Sequence, residues 1–136
     1  MNDNEQKFQM DDISQAVSIL IAEDNEQVRK LTEIVLVQNG YKVITAENGL
    51  EALDLLISGN YQLQLLLTDL NMPELNGMEL YSRVKEFGQK VRVIYMSGYS
   101  EDILGSEEAA DPFVFFLQKP FTINTLLSTV RNALSS

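Results

Sequence analysis

A chain of 136 residues, 45% of them hydrophobic, has enough apolar material for one domain with a core and too little length for two ordinary ones. Twenty acidic residues against ten basic ones, a net charge of -10, argue against direct contact with nucleic acid or anionic lipid. With no cysteine and no histidine the chain builds no disulfide, no thiolate or imidazole metal site, no Ser-His triad and no phosphohistidine of its own, so a phosphoryl group arriving by way of histidine must come from another protein.

Residues 1–16, MNDNEQKFQMDDISQA, are polar without a sustained period, which predicts a tail or linker ahead of a domain at 17–136. No apolar stretch approaches the roughly 20 residues of a membrane helix, and the polar start is unlike a signal peptide. A soluble, cytoplasmic domain is therefore expected. SILIAED (18–24) is a compact apolar run ending in acids, and the next segment carries Val28, Leu31 and Val35 at helical spacing until Asn39-Gly40 closes it. KVITAEN (42–48) predicts a second strand; Asn48 followed by Glu51 marks a helix start with Leu53, Leu56 and Ile57 facing inward. LQLLLTDL (63–70) is the third strand, its leucine run fitting a strand covered on both faces. A loop with Pro73 and Gly77 then leads to a helix from Met78 to Phe87. RVIYMSG (92–98) and VFFLQKP (114–120) are the fourth and fifth strands, and Thr122 caps a last helix with Ile123, Leu126, Leu127, Val130 and Leu134 on one face. Between those two strands, 99–113 holds Gly105, Asp111-Pro112 and five acids, so any helix there is expected to be short and mobile.

Five strand–helix units with short connections imply an α/β fold: a parallel five-stranded sheet with helices on both faces, since parallel neighbours need crossovers and these are right-handed. The carboxyl ends of all five strands then share one edge, where open α/β sheets bind ligands. Glu23 and Asp24, Asp69, Ser97 and Lys119 arrive there from four different strands. Crowded carboxylates repel one another unless a cation or a proton compensates. With only oxygen ligands on offer, a hard divalent ion fits, Mg²⁺ ahead of Mn²⁺ or Ca²⁺ because it keeps waters and shares phosphate oxygens. Lys119 and the Ser97 hydroxyl add a positive charge and a donor suited to a phosphoryl group. Singly, each feature has a plainer reading: acids favoured at a helix start, a solvated lysine, a Ser-Gly turn, and Phe113, Phe115 and Phe116 as packing. Their joint placement at strand ends is what indicates a site.

In chain order, Glu23-Asp24, DLNMPELNG (69–77), Ser97 and Lys119-Pro120 resemble the acidic pair, phosphoacceptor loop, hydroxyl residue and Lys-Pro of response-regulator receiver domains, the phosphoacceptor modules of two-component signalling. YMSGYSED and FFLQKPFT further resemble receivers at the C-terminus of hybrid sensor histidine kinases. The resemblance implies a flavodoxin-like (βα)5 three-layer sandwich of strand order 2-1-3-4-5. It implies Asp69 as phosphoacceptor, with Mg²⁺ held by Asp24, Asp69 and the Asn71 backbone carbonyl, and by Glu23 through water. Lys119 would offset phosphoryl charge and Ser97 would be the switch. Phe116 stands where many members carry a hydroxyl-bearing aromatic, and Tyr99, two residues past Ser97, is a candidate shield for the acyl phosphate.

The implied partner is a histidine kinase or a histidine phosphotransfer domain, or the remainder of a hybrid kinase chain to which 1–16 would be the linker. No independent kinase activity is implied, only assistance to its own phosphorylation and dephosphorylation. Output would pass through the surface of the fourth helix, fifth strand and last helix, or by onward phosphotransfer. Two competing readings are a degenerate receiver that binds partners without phosphorylation, and an aspartate-nucleophile phosphatase. Asn71 counts against the latter, which uses an aspartate two residues after its nucleophile.

Overall fold

The structure, a computed structural model, describes residues 18–59, 62–86, 90–98 and 111–136. The tail at 1–16, Tyr99 and most of the 99–113 segment, for which mobility was expected, lie outside the described residues. Among the described residues, strands β1 (Ser18–Ala22), β2 (Lys42–Ala46), β3 (Leu63–Asp69), β4 (Arg92–Ser97) and β5 (Val114–Gln118) are accompanied by helices α1 (Glu26–Gln38), α2 (Gly49–Ser58), α3 (Gly77–Glu86) and α4 (Ile123–Ser135), which follow β1, β2, β3 and β5. All ladders are parallel, in the order β2-β1-β3-β4-β5. This is the flavodoxin-like α/β sheet expected from the sequence. No helix among the described residues is long and apolar enough to cross a membrane.

The apolar runs predicted each strand, but every run continues one or two residues past the ladder. Those overhangs carry Glu23, Asp24 and Lys119 out of the sheet at its carboxyl edge, while Asp69 and Ser97 are the last residues of their strands. Side chains alternate faces along a strand, so β1, β3 and β4 feed two cores at once. Leu20, Leu66, Val93 and Tyr95 pack toward α2 and α3, with Ala52, Leu80, Tyr81 and Val84. Ile19, Ile21, Leu65, Leu67, Ile94 and Met96 pack toward α1 and α4, with Val35, Leu36, Leu126, Val130 and Ala133. The central strands are thereby buried on both sides, as the leucine run of β3 required.

Caps follow the sequence signals. Asn48 Oδ1 accepts from Glu51 N at 2.7 Å, and Thr122 Oγ1 accepts from Thr125 N at 3.1 Å. Three inward assignments need correction: Leu31, Ile57 and Ile123 are each more than half exposed. In α1 the buried stripe instead runs through Thr32, Val35 and Leu36. Spacing marks an apolar stripe, but which edge of that stripe meets the sheet depends on how the helix lies across it.

Candidate functional site

The carboxyl edge gathers residues from loops that the sheet holds rigidly. After β1, Glu23 is fully buried: its N–H donates to Ala46 O (3.1 Å), its Oε2 accepts from Asn25 N (3.0 Å), and its Oε1 accepts from Lys119 Nζ (2.6 Å). Asp24, next in the turn, is exposed. Asn25 ends the turn by capping α1, its Oδ1 accepting from Val28 N at 3.0 Å.

Asp69 closes β3 and is 8% exposed. Its Oδ2 lies 3.4 Å from Lys119 Nζ, and Oδ1 accepts a long bond from Asn71 N at 3.4 Å. The loop behind it is bound at both ends: Leu70 N donates to Met96 O (2.9 Å) and Gly77 N to Leu70 O (3.0 Å). Glu74 takes a left-handed φ of 69°, and α3 starts on a reciprocal pair in which Asn76 N donates to Glu79 Oε1 and Glu79 N to Asn76 Oδ1. A Cβ on Gly77 would stand 2.5 Å from Asp69 O, so this glycine is what lets α3 begin against the end of β3. Ser97 is buried at the end of β4, and its carbonyl accepts from Lys119 N at 2.8 Å. The Lys119-Pro120 peptide is cis.

Lys119 therefore bridges the first and third strands' acids from the fifth. One ligand oxygen each from Glu23, Asp24 and Asp69 lies within 4.8 Å of the others. Burial, opposed by Lys119, pushes the Glu23 and Asp69 carboxyls above their ordinary values. Burial pulls the Lys119 ammonium down, but its bond to Glu23 and the two acidic charges outweigh it and hold the lysine above its usual value. Three carboxylates against one ammonium leave an unbalanced negative charge offering only oxygen donors. That chemistry fits a hard divalent cation.

Phe116 is 36% exposed on β5, with its ring tilted over Tyr95 at 6.1 Å between centroids. Tyr95 in turn meets Tyr81 edge-on at 6.3 Å. Beside Lys119, an apolar groove of about 300 Å³ is lined by Val28, Leu31, Thr32, Pro120 and Phe121. Sequence reading brought Glu23, Asp24, Asp69, Ser97 and Lys119 to this edge, and the fold places all of them there. It missed Arg29, whose side chain is mostly buried and whose Nη1 donates to Glu23 O at 2.8 Å. The available signal was a charged residue between Val28 and Thr32, one turn into a helix that follows two acids.

The family model of the response regulator receiver domain matches residues 19–131. The sensor kinase CckA of Brucella abortus is 32% identical over 123 residues, covering 90% of this chain but 13% of that protein. The response regulator receiver protein CpdR of the same organism is 31% identical over 116 residues, covering 85% of this chain and 95% of its own. The crystal structure of the receiver domain from the hybrid histidine kinase CckA superposes with a TM-score of 0.72 at 31% identity, covering 86% of this chain and 98% of that one. Several of the curated relatives are at least twice the length matched here.

Proposed function

The chain belongs to the response-regulator receiver family of two-component signalling, and from that premise we propose that Asp69 accepts a phosphoryl group from a histidine of a partner protein. The observation that carries this reading is Lys119, which joins buried Glu23 to Asp69 at the sheet edge with Asp24 alongside. Asp24, Asp69 and the Asn71 carbonyl would hold Mg²⁺, with Glu23 acting through a water. The ion, when bound, offsets negative charge on the phosphoryl oxygens.

In the transfer, an Asp69 carboxylate oxygen forms a P–O bond as the donor's P–N bond breaks, the electron pair leaving with the imidazole. Asp69 is nearly buried yet opens onto the edge, so the acceptor is presented without being freely hydrated. Lys119 loses a carboxylate partner when Asp69 becomes an acyl phosphate and turns its charge to the new phosphoryl oxygens. Ser97 donates its hydroxyl to one of those oxygens, and the β4 end follows it. Phe116 moves inward only with a change at Tyr95, against which its ring rests. Tyr99 is retained as the proposed shield of the acyl phosphate, its test being the dephosphorylation rate of Tyr99→Ala.

The donor is a histidine kinase or phosphotransfer domain. The apolar groove beside Lys119, together with exposed Leu31, supplies a surface on which such a partner could seat its histidine near Asp69. The domain itself is a signalling module that assists its own phosphorylation, and residues 1–16 are the proposed linker to the rest of a hybrid kinase. The test is intact mass after incubation with a small phosphodonor, with and without Mg²⁺, beside Asp69→Asn. One Mg²⁺-dependent phosphoryl adduct, absent from the variant, is expected. A folded, Mg²⁺-binding protein that takes no adduct would instead be a phosphorylation-independent binding module.

A further inference from the structure

The Arg29 side chain, on α1, is only 11% exposed. Its ion-pair partner is not one of the clustered carboxylates of Glu23, Asp24 and Asp69. Nη1 donates to the backbone carbonyl of Glu23 at 2.8 Å, and Nη2 lies 3.7 Å from Glu47 Oε1, just past the end of β2. Glu47 is tied in its turn, its N–H donating to Glu51 Oε1 at 3.0 Å. The Glu23–Asp24 peptide is thus held through its carbonyl by Arg29 of α1, and that guanidinium is steadied in turn by Glu47 of the β2–α2 turn. Glu23 N and both Glu23 carboxylate oxygens are already engaged. Arg29 supplies the remaining restraint, and it acts on the peptide plane from which the exposed Asp24 departs.

We infer that Arg29 is a positioning residue for the cation site: by holding the Glu23 carbonyl it sets the direction in which Asp24 presents its carboxylate. The inference rests on the magnesium-site reading above. Electrostatics alone makes the opposite demand, because a guanidinium bonded to the acidic turn repels a divalent cation. Removing the charge should tighten cation binding if charge is all that Arg29 contributes. Removing it should weaken binding if Arg29 orients a ligand, as outer partners of metal ligands do, with losses of 10- to 100-fold typical. The two accounts differ in sign.

The experiment is a Mg²⁺ titration of the full chain by calorimetry and amide NMR, comparing wild type with Arg29→Met, which keeps the stem, and Arg29→Lys, which keeps charge and one donor. The expected result is a Kd raised about tenfold in Arg29→Met and largely recovered in Arg29→Lys, with both variants folded by their amide spectra. An unchanged or lower Kd in Arg29→Met overturns the inference. A measurement on the wild type guards against a variant that fails to fold. The Arg29 Nη resonances should be resolved, protected from solvent exchange and shifted by Mg²⁺; averaged resonances indifferent to Mg²⁺ overturn the inference equally. Wild-type protein that binds no Mg²⁺ overturns the site reading as well, whereas normal wild-type binding with an indifferent Arg29→Met overturns the positioning role alone.

Discussion

Lys119 reaches two carboxylates that burial drives toward their protonated forms, Glu23 at 2.6 Å and Asp69 at 3.4 Å. Methionine in its place keeps the aliphatic stem and strands a fully buried Glu23. Breaking a buried pair from one side leaves an uncompensated charge, so Lys119→Met is expected to lower the unfolding free energy by about 2–3 kcal/mol at neutral pH. Urea midpoints read this directly, and the loss should shrink in acid, where Glu23 takes a proton instead; an equal loss at every pH would contradict the assignment. Tyr81 gives an alkaline counterpart. Its hydroxyl donates to Val91 O at 2.8 Å, and burial, then the charge of Asp111, push it from 10.0 up to about 12. The folded chain keeps this proton where the unfolded chain has lost it, so the contribution is complete below pH 10 and vanishes as pH climbs toward 12. Tyr81→Phe should flatten that part of the alkaline slope and cost about 1 kcal/mol at neutrality.

The junction of β3 with α3 is tightly packed at Gly77. A Cβ at Gly77 would press on Asp69 O at 2.5 Å and Leu70 Cα at 3.2 Å, both main-chain atoms without freedom to swing aside. Gly77→Ala should therefore cost about 1–3 kcal/mol, as overpacking does, and also slow formation of the Asp69 adduct, because the strand end carrying the acceptor must shift. Asn39→Ala serves as comparison: it removes the 2.7 Å bond from Asn39 Nδ2 to Val35 O at the far end of α1, opposite the strand carboxyl ends, at about 1 kcal/mol, and should leave the adduct rate unchanged. Equal adduct rates in the two variants would separate Gly77 from the geometry of the acceptor. The helices also explain where sequence periodicity overreached. In α4, Leu126 and Val130 are buried as their spacing predicts, while Ile123 at the first turn is exposed and the small Ala133 is buried in its stead. Spacing names a stripe, but which edge of the stripe meets the sheet depends on how the helix lies across it.

Glu23 and Asp69 lie 46 positions apart in the chain yet share one charge cluster, so their titration is a property of the assembled fold. Both are held above the ordinary carboxylate range, burial first and Lys119 opposing. The folded state retains protons that the unfolded chain releases, so the stability from this source is complete below the unfolded values and is lost as pH rises through the raised ones. The net charge of -10 adds repulsion in the same direction. Without Mg²⁺ the unfolding midpoint is expected to fall as pH is raised from about 4 toward neutrality. Millimolar Mg²⁺ should recover most of that fall, since it binds the deprotonated cluster of the folded state only. A midpoint that rises across this interval in metal-free buffer would remove the ground for reading the cluster as a strained cation site.

The strands, their parallel arrangement and the edge at which Asp69, Glu23, Asp24, Ser97 and Lys119 meet were legible in the sequence, whereas the strand order came only with the family resemblance. Apolar runs ending on polar residues mark strand ends, and parallel connection sends all such ends to one side. Only the tertiary structure decided that Lys119 sits closer to Glu23 than to Asp69, that Asp24 stays exposed while its neighbour is fully buried, and that Arg29 grips a main-chain carbonyl. The Lys119–Glu23 contact spans 96 residues. Its length depends on the positions of three adjacent strands and the loops leaving them, and a pattern read along the chain carries no information about fractions of an ångström between segments so far apart.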